Sequence, residues 1–428
     1  MKIEALYQKF NQCSGINTDT RNIDKDSMFF ALKGPSFNAN LFAAEALKKG
    51  SKFVVVDDPD VAISDQFILV KDSLSTLQEL SKYHRNKLSI PIVGITGSNG
   101  KTTTKELINE ILSTQYKVAA TKGNLNNHIG VPLTLLRINH DDDLAIVEMG
   151  ANHEGEIGFL CDLCNPDYGL ITNIGKAHLE GFGSLDKIIS TKIALYDSVK
   201  QNNGLVFINR SDQLLTELSL ENNCTYYLDK EGLNGKLIEN KTGAMNFEYS
   251  TSDYQSPQIK THLIGNYNLE NAMAAVAIGI HFKIDHKIIV SALKTYQPKN
   301  NRSQWFETGK NDVILDAYNA NPTSTLVALE HFLSINNENK LAILGDMLEL
   351  GESASEEHQR IVDFIVKNKI NYLFVGPIYA SCKNLEASNS YSDTDELITF
   401  IKGNPIKHRT IILKGSRGIE LEKLVKYL

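Results

Sequence analysis

Residues 94–104 read Gly94-Ile95-Thr96-Gly97-Ser98-Asn99-Gly100-Lys101-Thr102-Thr103-Thr104. They follow an apolar, β-branched run and precede a helical pattern. Small residues at such a junction let backbone N–H groups surround a polyphosphate, and the helix N-terminus adds positive potential. Lys101 can reach the β- and γ-phosphates, and the Thr102 hydroxyl can ligate Mg²⁺. The stretch therefore predicts a nucleoside triphosphate site with the binding residues Thr96, Gly97, Ser98, Asn99, Gly100, Lys101, Thr102 and Thr103.

Apolar runs rich in β-branched residues alternate with longer helical patterns along most of the chain. The runs are Phe53–Val56, Ile92–Ile95, Leu144–Val147, Gly169–Ile171, Leu205–Ile208, Val313–Leu315, Leu341–Leu344 and Thr410–Leu413. This alternation predicts an α/β protein with mostly parallel sheets. Because ligands of such sheets bind beyond the carboxyl ends of the strands, polar residues at those ends are the first candidates for chemistry.

Length and composition predict three domains. At about 150 residues per domain, 428 residues suffice for three cores. Two stretches indicate domain boundaries: the basic stretch Lys82–Leu88 and the link that begins at Gln297-Pro298. We expect a small α/β N-terminal domain at residues 1–88, a central P-loop-type ATPase domain with a mostly parallel sheet at residues 89–298, and a Rossmann-like C-terminal domain at residues 299–428.

Composition excludes several classes of protein. The chain has 44 basic and 51 acidic residues, a formal net charge of −7 and no long basic block, so we expect no nucleic-acid partner. No apolar stretch approaches the roughly 18 residues of a membrane-spanning helix. The five scattered cysteines and the absence of an apolar signal segment favour the cytoplasm. We also expect a monomer.

Two polar residues follow predicted strands. Glu148 ends the run Leu144–Val147, and a carboxylate at a strand tip beside a phosphate loop can ligate a nucleotide-bound Mg²⁺. His178 lies a few residues beyond the run Gly169–Ile171. The alternative interpretations are a capping or surface carboxylate for Glu148 and a hydrogen-bonded structural imidazole for His178.

Lys192 lies in a helical pattern for which Ser184 is the expected N-cap. It follows Ile188 by four residues and precedes Leu195 by three, which places it on a partly apolar stripe where a free ammonium would be desolvated. An ordinary surface lysine is the alternative.

The loop departs from the general pattern G-x-x-x-x-G-K-[ST], because Ile95 stands where the first glycine belongs and Gly97 supplies the turn. The shorter Thr-Gly-x-x-Gly-Lys-Thr form resembles the loop of the Mur ligases and the related folylpolyglutamate synthases. The stretch Gly265-Asn266-Tyr267-Asn268-Leu269-Glu270-Asn271 also resembles a Mur signature, with Tyr267 in place of the usual His. The resemblance covers essentially the whole chain.

This resemblance implies roles for residues that spacing alone does not assign. It implies that His178 binds metal and that Lys192 is carbamylated to N6-carboxylysine, a ligand for a second Mg²⁺, although Ala194 stands where members often carry an acidic residue. The implied metal ligands are Thr102, Glu148, His178 and Lys192, and the implied catalytic residues are Lys101, Glu148, His178 and Lys192.

The resemblance also implies three nucleotide contacts beyond the loop. Asn271 would contact adenine, Asp316 the ribose and Arg302, just past the interdomain link, the phosphates. The alternative is a purely structural role in capping a helix. It would account well for an asparagine at position 268 but poorly for the one at position 271.

Four further stretches resemble the members of the family that add D-alanyl-D-alanine to a UDP-N-acetylmuramoyl tripeptide: Asn124–Pro132, Asp316–Ser324, Gly345–Gly351 and Lys414–Gly418. The N-terminal Thr18-Asp19-Thr20-Arg21 resembles the family's UDP-binding segment. The implied activity is ATP-dependent amide-bond formation through an acyl phosphate, with release of ADP and phosphate, in peptidoglycan synthesis. The implied substrate-binding residues are Thr20, Arg21, Asn126, Asn127, Asn319 and Asn321.

Two alternatives remain open. One is another ligase of the superfamily, either a different muramoyl ligase or a folylpolyglutamate synthase, and the form Tyr318-Asn319-Ala320-Asn321-Pro322 argues against it. The other is a non-catalytic regulator that binds UDP-muramoyl peptides, against which the joint presence of the catalytic residues argues. No motif distinguishes diaminopimelate from lysine as the third residue of the tripeptide.

Overall fold

The computed structural model shows an α/β chain in three successive parts, which confirms the expected fold class. It describes residues 1–176, 178–239, 243–299, 301–337 and 339–428. Within these ranges no helix is both long and apolar enough to cross a membrane. All five cysteines are free thiols.

The N-terminal part is a parallel sheet in the order β1-β2-β5-β6, with a separate hairpin of β3 and β4. Its strands are β1 (Ile16–Asn17), β2 (Met28–Phe30), β3 (Lys33–Gly34), β4 (Phe37–Asn38), β5 (Phe53–Val56) and β6 (Phe67–Leu69), and its helices are α1 (Ile3–Phe10), α2 (Ala43–Lys48) and α3 (Ser73–Arg85). The strand β2 is buried on both faces, which explains its continuous apolar sequence.

The basic stretch Lys82–Leu88 is not a free linker, because its first half forms the last turn of α3. The guanidinium of Arg85 is buried and donates to the carbonyls of Cys164 at 2.8 Å and Asn165 at 3.0 Å. These bonds anchor the N-terminal part to the central one. The domain boundaries of 88 and 298 remain a prediction.

The central part is a six-stranded, wholly parallel sheet in the order β12-β11-β10-β7-β9-β8. The strands are β7 (Ile92–Thr96), β8 (Val118–Ala120), β9 (Leu144–Glu148), β10 (Tyr168–Ile171), β11 (Leu205–Asn209) and β12 (Cys224–Tyr227). The helices are α4 (Lys101–Leu112), α5 (Gly130–Leu135), α6 (Glu156–Cys164), α7 (Leu179–Phe182), α8 (Leu185–Gln201) and α9 (Gln213–Leu218).

The middle strand β7 lies between β9 and β10, where the order of the sheet reverses. The phosphate loop after β7 therefore has the carboxyl ends of two neighbouring strands beside it, the arrangement in which α/β sheets bind ligands. Glu148 is the last residue of β9, and the segment after β10 begins at Thr172.

An antiparallel sheet and two helices complete the central part: β13 (Asn234–Ile238), β14 (Ala244–Ser250), β15 (Ile259–Ile264), α10 (Asn268–His281) and α11 (His286–Thr295). The alanine-rich α10 packs closely on α4, since a Cβ on Gly279 would lie only 2.8 Å from a methyl carbon of Ile111. This packing brings the start of α10 to the start of α4.

The C-terminal part is a six-stranded sheet in the order β16-β17-β21-β18-β19-β20, parallel except for the edge strand β16. Its strands are β16 (Gln304–Glu307), β17 (Asp312–Asp316), β18 (Lys340–Gly345), β19 (Asn371–Val375), β20 (Ser390–Tyr391) and β21 (Thr410–Lys414). Its helices are α12 (Pro322–Ser334), α13 (Ala354–Lys367), α14 (Pro377–Ala380) and α15 (Thr394–Gly403). Neighbouring strands β17 and β21 end in Asp316 and Lys414, paired in register.

Candidate active site

A cavity of about 800 Å³ lies between the carboxyl ends of the central and C-terminal sheets. Most of the predicted site residues line it: Ser98, Asn99, Gly100, Lys101, Thr102, Thr103, Asn126, Asn127, Glu148, His178, Asn271, Arg302, Asp316, Asn319 and Asn321. Thr96 and Gly97 form the buried start of the loop, and Lys192 is buried in α8. The sequence-predicted residues of the second and third parts thus come together.

Two glycines give the phosphate loop its shape. Gly97 has φ +148°, and a Cβ there would lie 1.9 Å from Oγ1 of Thr172. Gly100 has φ +80° at the start of α4, and a Cβ there would lie 2.4 Å from Oδ1 of Asn271. Both the backbone conformation and the close approach exclude a side chain.

Lys101 folds back over this loop. Its Nζ donates to the carbonyls of Gly97 at 2.6 Å and Ser98 at 3.2 Å. Burial lowers the pKa of Lys101 to about 8; the Glu148 carboxylate opposes that shift and the Arg302 cation reinforces it. A half-buried lysine held among loop carbonyls at the cavity wall is suited to receive an anion.

The segment after β10 braces the loop from the other side. Oγ1 of Thr172 donates to the carbonyl of Asn99 at 2.6 Å, and the side-chain carbonyl of Asn173 accepts from the Asn99 N–H at 3.0 Å. Ser98 donates through its hydroxyl to the carbonyl of Gly175 at 2.9 Å. The loop is therefore rigid where it would face phosphate.

Glu148 has one occupied and one free carboxylate oxygen. Its Oε1 accepts from Oγ1 of Thr102 at 3.0 Å and from Nδ2 of Asn126 at 2.8 Å. Its Oε2 is buried and has no hydrogen-bond partner among the described residues, and the nearest cation is Lys105, 3.9 Å away. A buried carboxylate oxygen without a donor, beside a threonine hydroxyl, fits a hard divalent cation.

Lys192 lies on the buried face of α8, whose N-cap is Ser184 as predicted. Burial, together with the nearby Lys101, lowers the pKa of Lys192 well below its usual value. We find no ion pair or hydrogen bond for its Nζ within the described part of the chain. The partly apolar stripe therefore correctly indicated a desolvated amine.

His178 meets the C-terminal part. Its Nδ1 lies 2.6 Å from Oε2 of Glu349, and Lys176 lies 3.2 Å from Oε1 of the buried Glu357. In the described ranges, the structure forms no group of three or more His, Cys, Asp or Glu side chains that could hold a metal by themselves. A second metal would thus depend on other oxygen donors.

Asn271 contacts the loop directly. Its Oδ1 accepts from Oγ1 of Thr104 at 3.0 Å, and its Nδ2 donates to Oδ1 of Asn268 at 2.9 Å. Asn268 in turn donates to the carbonyl of Ile264 and does not cap α10, because the N-cap position is Tyr267. The capping interpretation of Asn268 is wrong, since its amide is needed to hold Asn271.

The C-terminal part contributes a buried ion pair. Oδ2 of Asp316 accepts from Nζ of Lys414 at 2.6 Å, and Oδ1 accepts from the N–H of Ser303 at 3.2 Å. The guanidinium of Arg302 stacks on the ring of Tyr318, 3.7 Å from the ring centre. Asp316 is thereby fixed at the rim of the cavity.

The asparagines predicted to bind substrate have different surroundings. Asn321 caps α12 through its Oδ1, and its Nδ2 donates to Oδ1 of Asn99 at 2.8 Å, which joins the C-terminal part to the phosphate loop. Asn319 accepts from the N–H of Ala320. Asn127 accepts from the N–H of Gly130 at 2.9 Å at the start of α5.

Thr20 and Arg21 do not line the cavity. The exposed Arg21 binds the carboxylate of Asp19 at 2.6 Å and lowers the Asp19 pKa to about 2. The carbonyl of Thr20 accepts from Lys49 at 2.9 Å.

Among the lining residues that sequence reasoning missed, Tyr318, Glu349 and Lys414 bring aromatic or charged side chains to the cavity. All three lie in stretches whose resemblance was noted, and Lys414 ends a predicted strand. The polar end of a strand was therefore an available signal for Lys414, whereas only the packing of two parts of the chain brings Glu349 to the cavity.

The phosphate loop and its lysine lie beside a strand-end carboxylate and face the C-terminal sheet across the cavity. This arrangement is typical of an enzyme that transfers a phosphoryl group from ATP. Residues 95–279 match the Mur ligase middle domain, and residues 301–417 match the Mur ligase, glutamate ligase domain. The chain belongs to the ATP-dependent Mur ligase family.

Full-length relatives agree. The UDP-N-acetylmuramoyl-tripeptide–D-alanyl-D-alanine ligase of Bacillus subtilis is 34% identical over 97% of this chain and 93% of its own length. The crystal structure of MurF from Acinetobacter baumannii has a TM-score of 0.86 at 28% identity and covers 99% of this chain and 97% of that one. The structure of MurF ligase from Thermotoga maritima in complex with ADP has a TM-score of 0.82 at 26% identity and covers 96% of each chain.

Proposed function

We propose that this chain joins D-alanyl-D-alanine to a UDP-N-acetylmuramoyl tripeptide, with ATP converted to ADP and phosphate. The observation that carries this proposal is the shared cavity, in which the phosphate loop and Glu148 face the stretch of Asn319 and Asn321. The similarity over the full length to D-alanyl-D-alanine ligases of this family supports the choice of substrates.

The polyphosphate of ATP is bound by the loop N–H groups, by Lys101 and by Arg302. Asn271 lies at the loop, where it is proposed to contact adenine, and Asp316 is proposed to contact the ribose. The cationic side chains of Lys101 and Arg302 reduce the repulsion between two anions that must approach each other, the γ-phosphate and the terminal carboxylate of the tripeptide.

Thr102 and Glu148 fit a Mg²⁺ ion, on the strength of the free, buried Oε2 of Glu148. A bound Mg²⁺ would neutralise charge on the phosphates. His178 and Lys192 are proposed for a second ion. The depressed pKa of Lys192 favours the neutral amine, which is the form that adds CO2 to become a carbamate, so its environment supports carbamylation.

The reaction then needs no enzyme nucleophile. A carboxylate oxygen of the tripeptide attacks the γ-phosphorus, the bond to the β-phosphate oxygen breaks, and an acyl phosphate and ADP form. The amine of D-alanyl-D-alanine attacks the acyl carbon, loses a proton and expels phosphate. The chain contributes mainly by holding the reactants in line between its two sheets.

The UDP end of the tripeptide is proposed to bind the N-terminal part at Thr20 and Arg21. The amide groups of Asn126, Asn127, Asn319 and Asn321 are available to orient the two peptides. The proposal places a monomeric enzyme in the cytoplasm, where ATP is the phosphoryl donor.

Phosphate release tests the proposal most directly. With ATP, Mg²⁺ and UDP-N-acetylmuramoyl tripeptide, we expect phosphate release only when D-alanyl-D-alanine is added. Mass spectrometry should then show a product heavier than the tripeptide substrate by the mass of the dipeptide minus water. Glutamate and single amino acids serve as control acceptors. Turnover with a folate and glutamate but not with the dipeptide contradicts the proposal, and binding of the UDP substrate without any turnover supports the regulator instead.

A further inference from the structure

The link into the C-terminal part contains a strained turn. Asn301 has φ +57° and Ser303 has φ +46°, a left-handed conformation that side-chain-bearing residues rarely adopt. Arg302 stands between them and lines the cavity. Backbone of this kind persists only where surrounding contacts over-determine it.

Three contacts hold the turn. The N–H of Asn301 donates to Oε1 of Gln304 at 2.8 Å, and the N–H of Ser303 donates to Oδ1 of Asp316 at 3.2 Å. The third is a hydrogen bond of 2.8 Å between the hydroxyls of Ser303 and Tyr267. Of these, only the bond to Tyr267 ties the turn to the central part, since Gln304 and Asp316 belong to the C-terminal sheet.

Tyr267 is itself fixed in position. It immediately precedes α10, and a Cβ on Gly265 would lie 2.1 Å from its ring, so glycine there makes room for the ring. The ring is partly buried, and burial raises the pKa of Tyr267 above its usual range. The hydroxyl therefore stays protonated and able to donate at neutral pH.

Arg302 is kept available for an anion. Its guanidinium stacks on the Tyr318 ring, its Nε is buried without a hydrogen-bond partner in the described part of the chain, and its charge depresses the pKa of Lys101. Arg302 lines the same cavity as the phosphate loop, so its unpaired buried N–H is available to an anion bound there.

We propose that Tyr267 is a positioning residue whose hydroxyl, through Ser303, holds the strained turn so that Arg302 points at the polyphosphate of the nucleotide. The inference rests on the proposed function for the identity of the nucleotide. It also gives a role to the tyrosine that stands where the family signature usually has histidine.

The variant Tyr267→Phe removes only the hydroxyl. We expect it to weaken the binding of a non-hydrolysable ATP analogue by about fivefold to tenfold in calorimetry, the usual worth of one hydrogen bond. Tyr249→Phe is the matched control, because Tyr249 is a buried tyrosine of the central part whose hydroxyl bonds His286 at 3.0 Å, outside the cavity lining. That control should bind the analogue like the wild type.

A double-mutant cycle separates positioning from packing. In an Arg302→Ala background, Tyr267→Phe should cause no further loss of analogue binding, because the residue being positioned is gone. Ser303→Ala removes the same bond from the other side and should match Tyr267→Phe, which keeps the test valid where either single variant folds poorly.

Three results would overturn the inference: wild-type binding in Tyr267→Phe, an equal loss in Tyr249→Phe, or full additivity with Arg302→Ala. Because the readout is nucleotide binding without an acceptor, it is independent of the dipeptide. A wild-type chain that binds the analogue but does not ligate D-alanyl-D-alanine overturns the proposed acceptor and leaves the role of Tyr267 standing.

Discussion

Burial of lysine decides much of the chemistry at the residue scale. Lys192 is buried and Lys101 is half-buried, and for each of them burial, reinforced by a nearby cation, lowers the pKa. Two buried amines without a nearby excess of carboxylates are costly unless an anion or a modification compensates them. The site is therefore built for ligands that bring negative charge.

Loss of the Lys101 cation should abolish most of the activity. Lys101→Ala is expected to lower kcat/KM for ligation by about 100-fold or more, because one preorganised donor at a developing charge is worth that much. The measurement is phosphate release under the full set of substrates. Lys200→Ala, an exposed lysine of the same part, is the control, and an active Lys101→Ala enzyme would refute the reading of the loop.

Lys192 should make stability depend on pH. Its folded pKa lies below the unfolded value of about 10.4, so the unfolded chain binds more protons between those two values, and wild-type stability rises with pH there. In CO2-free buffer, Lys192→Met should stabilise the fold by about 1–4 kcal/mol at pH 7, with a smaller gain near pH 10.

Urea unfolding at the two pH values measures this difference. Lys187→Met is the control, because Lys187 is an exposed lysine of the same helix that pairs with Glu154. A gain that is the same at both pH values, or that appears equally in Lys187→Met, would show that desolvation of the Lys192 amine is not the cause.

At the scale of elements, the phosphate loop is shaped by the N-termini of two helices, α4 and α10. The strand β7 delivers the loop, α4 begins at Lys101, and the close packing of α10 on α4 brings Asn271 to Gly100. The geometry of the loop thus depends on a helix about 170 residues away along the chain.

Substitution of Gly100 by alanine should destabilise the protein by more than the backbone strain alone. Gly100 and Gly155 both precede a helix with φ near +80°, but a Cβ at Gly155 meets nothing within 4 Å, whereas at Gly100 it meets Asn271. Gly155→Ala should lose about 1 kcal/mol of unfolding free energy and retain ATP binding. Gly100→Ala should lose more and bind ATP at least tenfold more weakly; equal effects in urea unfolding and calorimetry would contradict this account.

Every apolar run predicted from the sequence is a strand of the structure. The missed strands include the two-residue β1 and β20, which are too short to show a period, and β12, in which only the last residue, Tyr227, is buried. Hydrophobic pattern identifies the longer strands that are buried on both faces. It is weak for strands as short as the three-residue β2 and at sheet edges, where fewer side chains need to be apolar.

At the scale of the whole molecule, polar contacts join the central and C-terminal parts beside the cavity. They include Asn99 with Asn321, His178 with Glu349 and Lys176 with Glu357. Because these are polar and partly exposed, their net energy is small, and closure of the cavity is readily reversible. Substrate binding in the cavity would favour the closed form.

The ion pair of Lys176 and Glu357 offers a test of closure. Because Lys176 is half-exposed, its contribution across the cavity is worth about 0.2–1 kcal/mol, and Lys176→Ala should raise KM for both proposed substrates by about twofold to fivefold. Arg360→Ala is the matched control. Arg360 also lies 3.6 Å from the Glu357 carboxylate, but it belongs to the same helix as Glu357 and so does not join the two sheets. KM is measured by steady-state kinetics. An equal rise of KM in the two variants would exclude a role for the contact between the sheets.

The sequence by itself determined the local chemistry of this protein: the phosphate loop, the strand-end Glu148, the desolvated Lys192 and the family. These follow from short-range patterns, since side-chain period and glycine placement act over a few residues. Only the tertiary structure decided that Oε2 of Glu148 is left free, that Glu349 meets His178 and that Tyr267 holds the link at Ser303. The two contacts join residues 36 and 171 positions apart, and they depend on how helices and sheets pack, which no local pattern encodes.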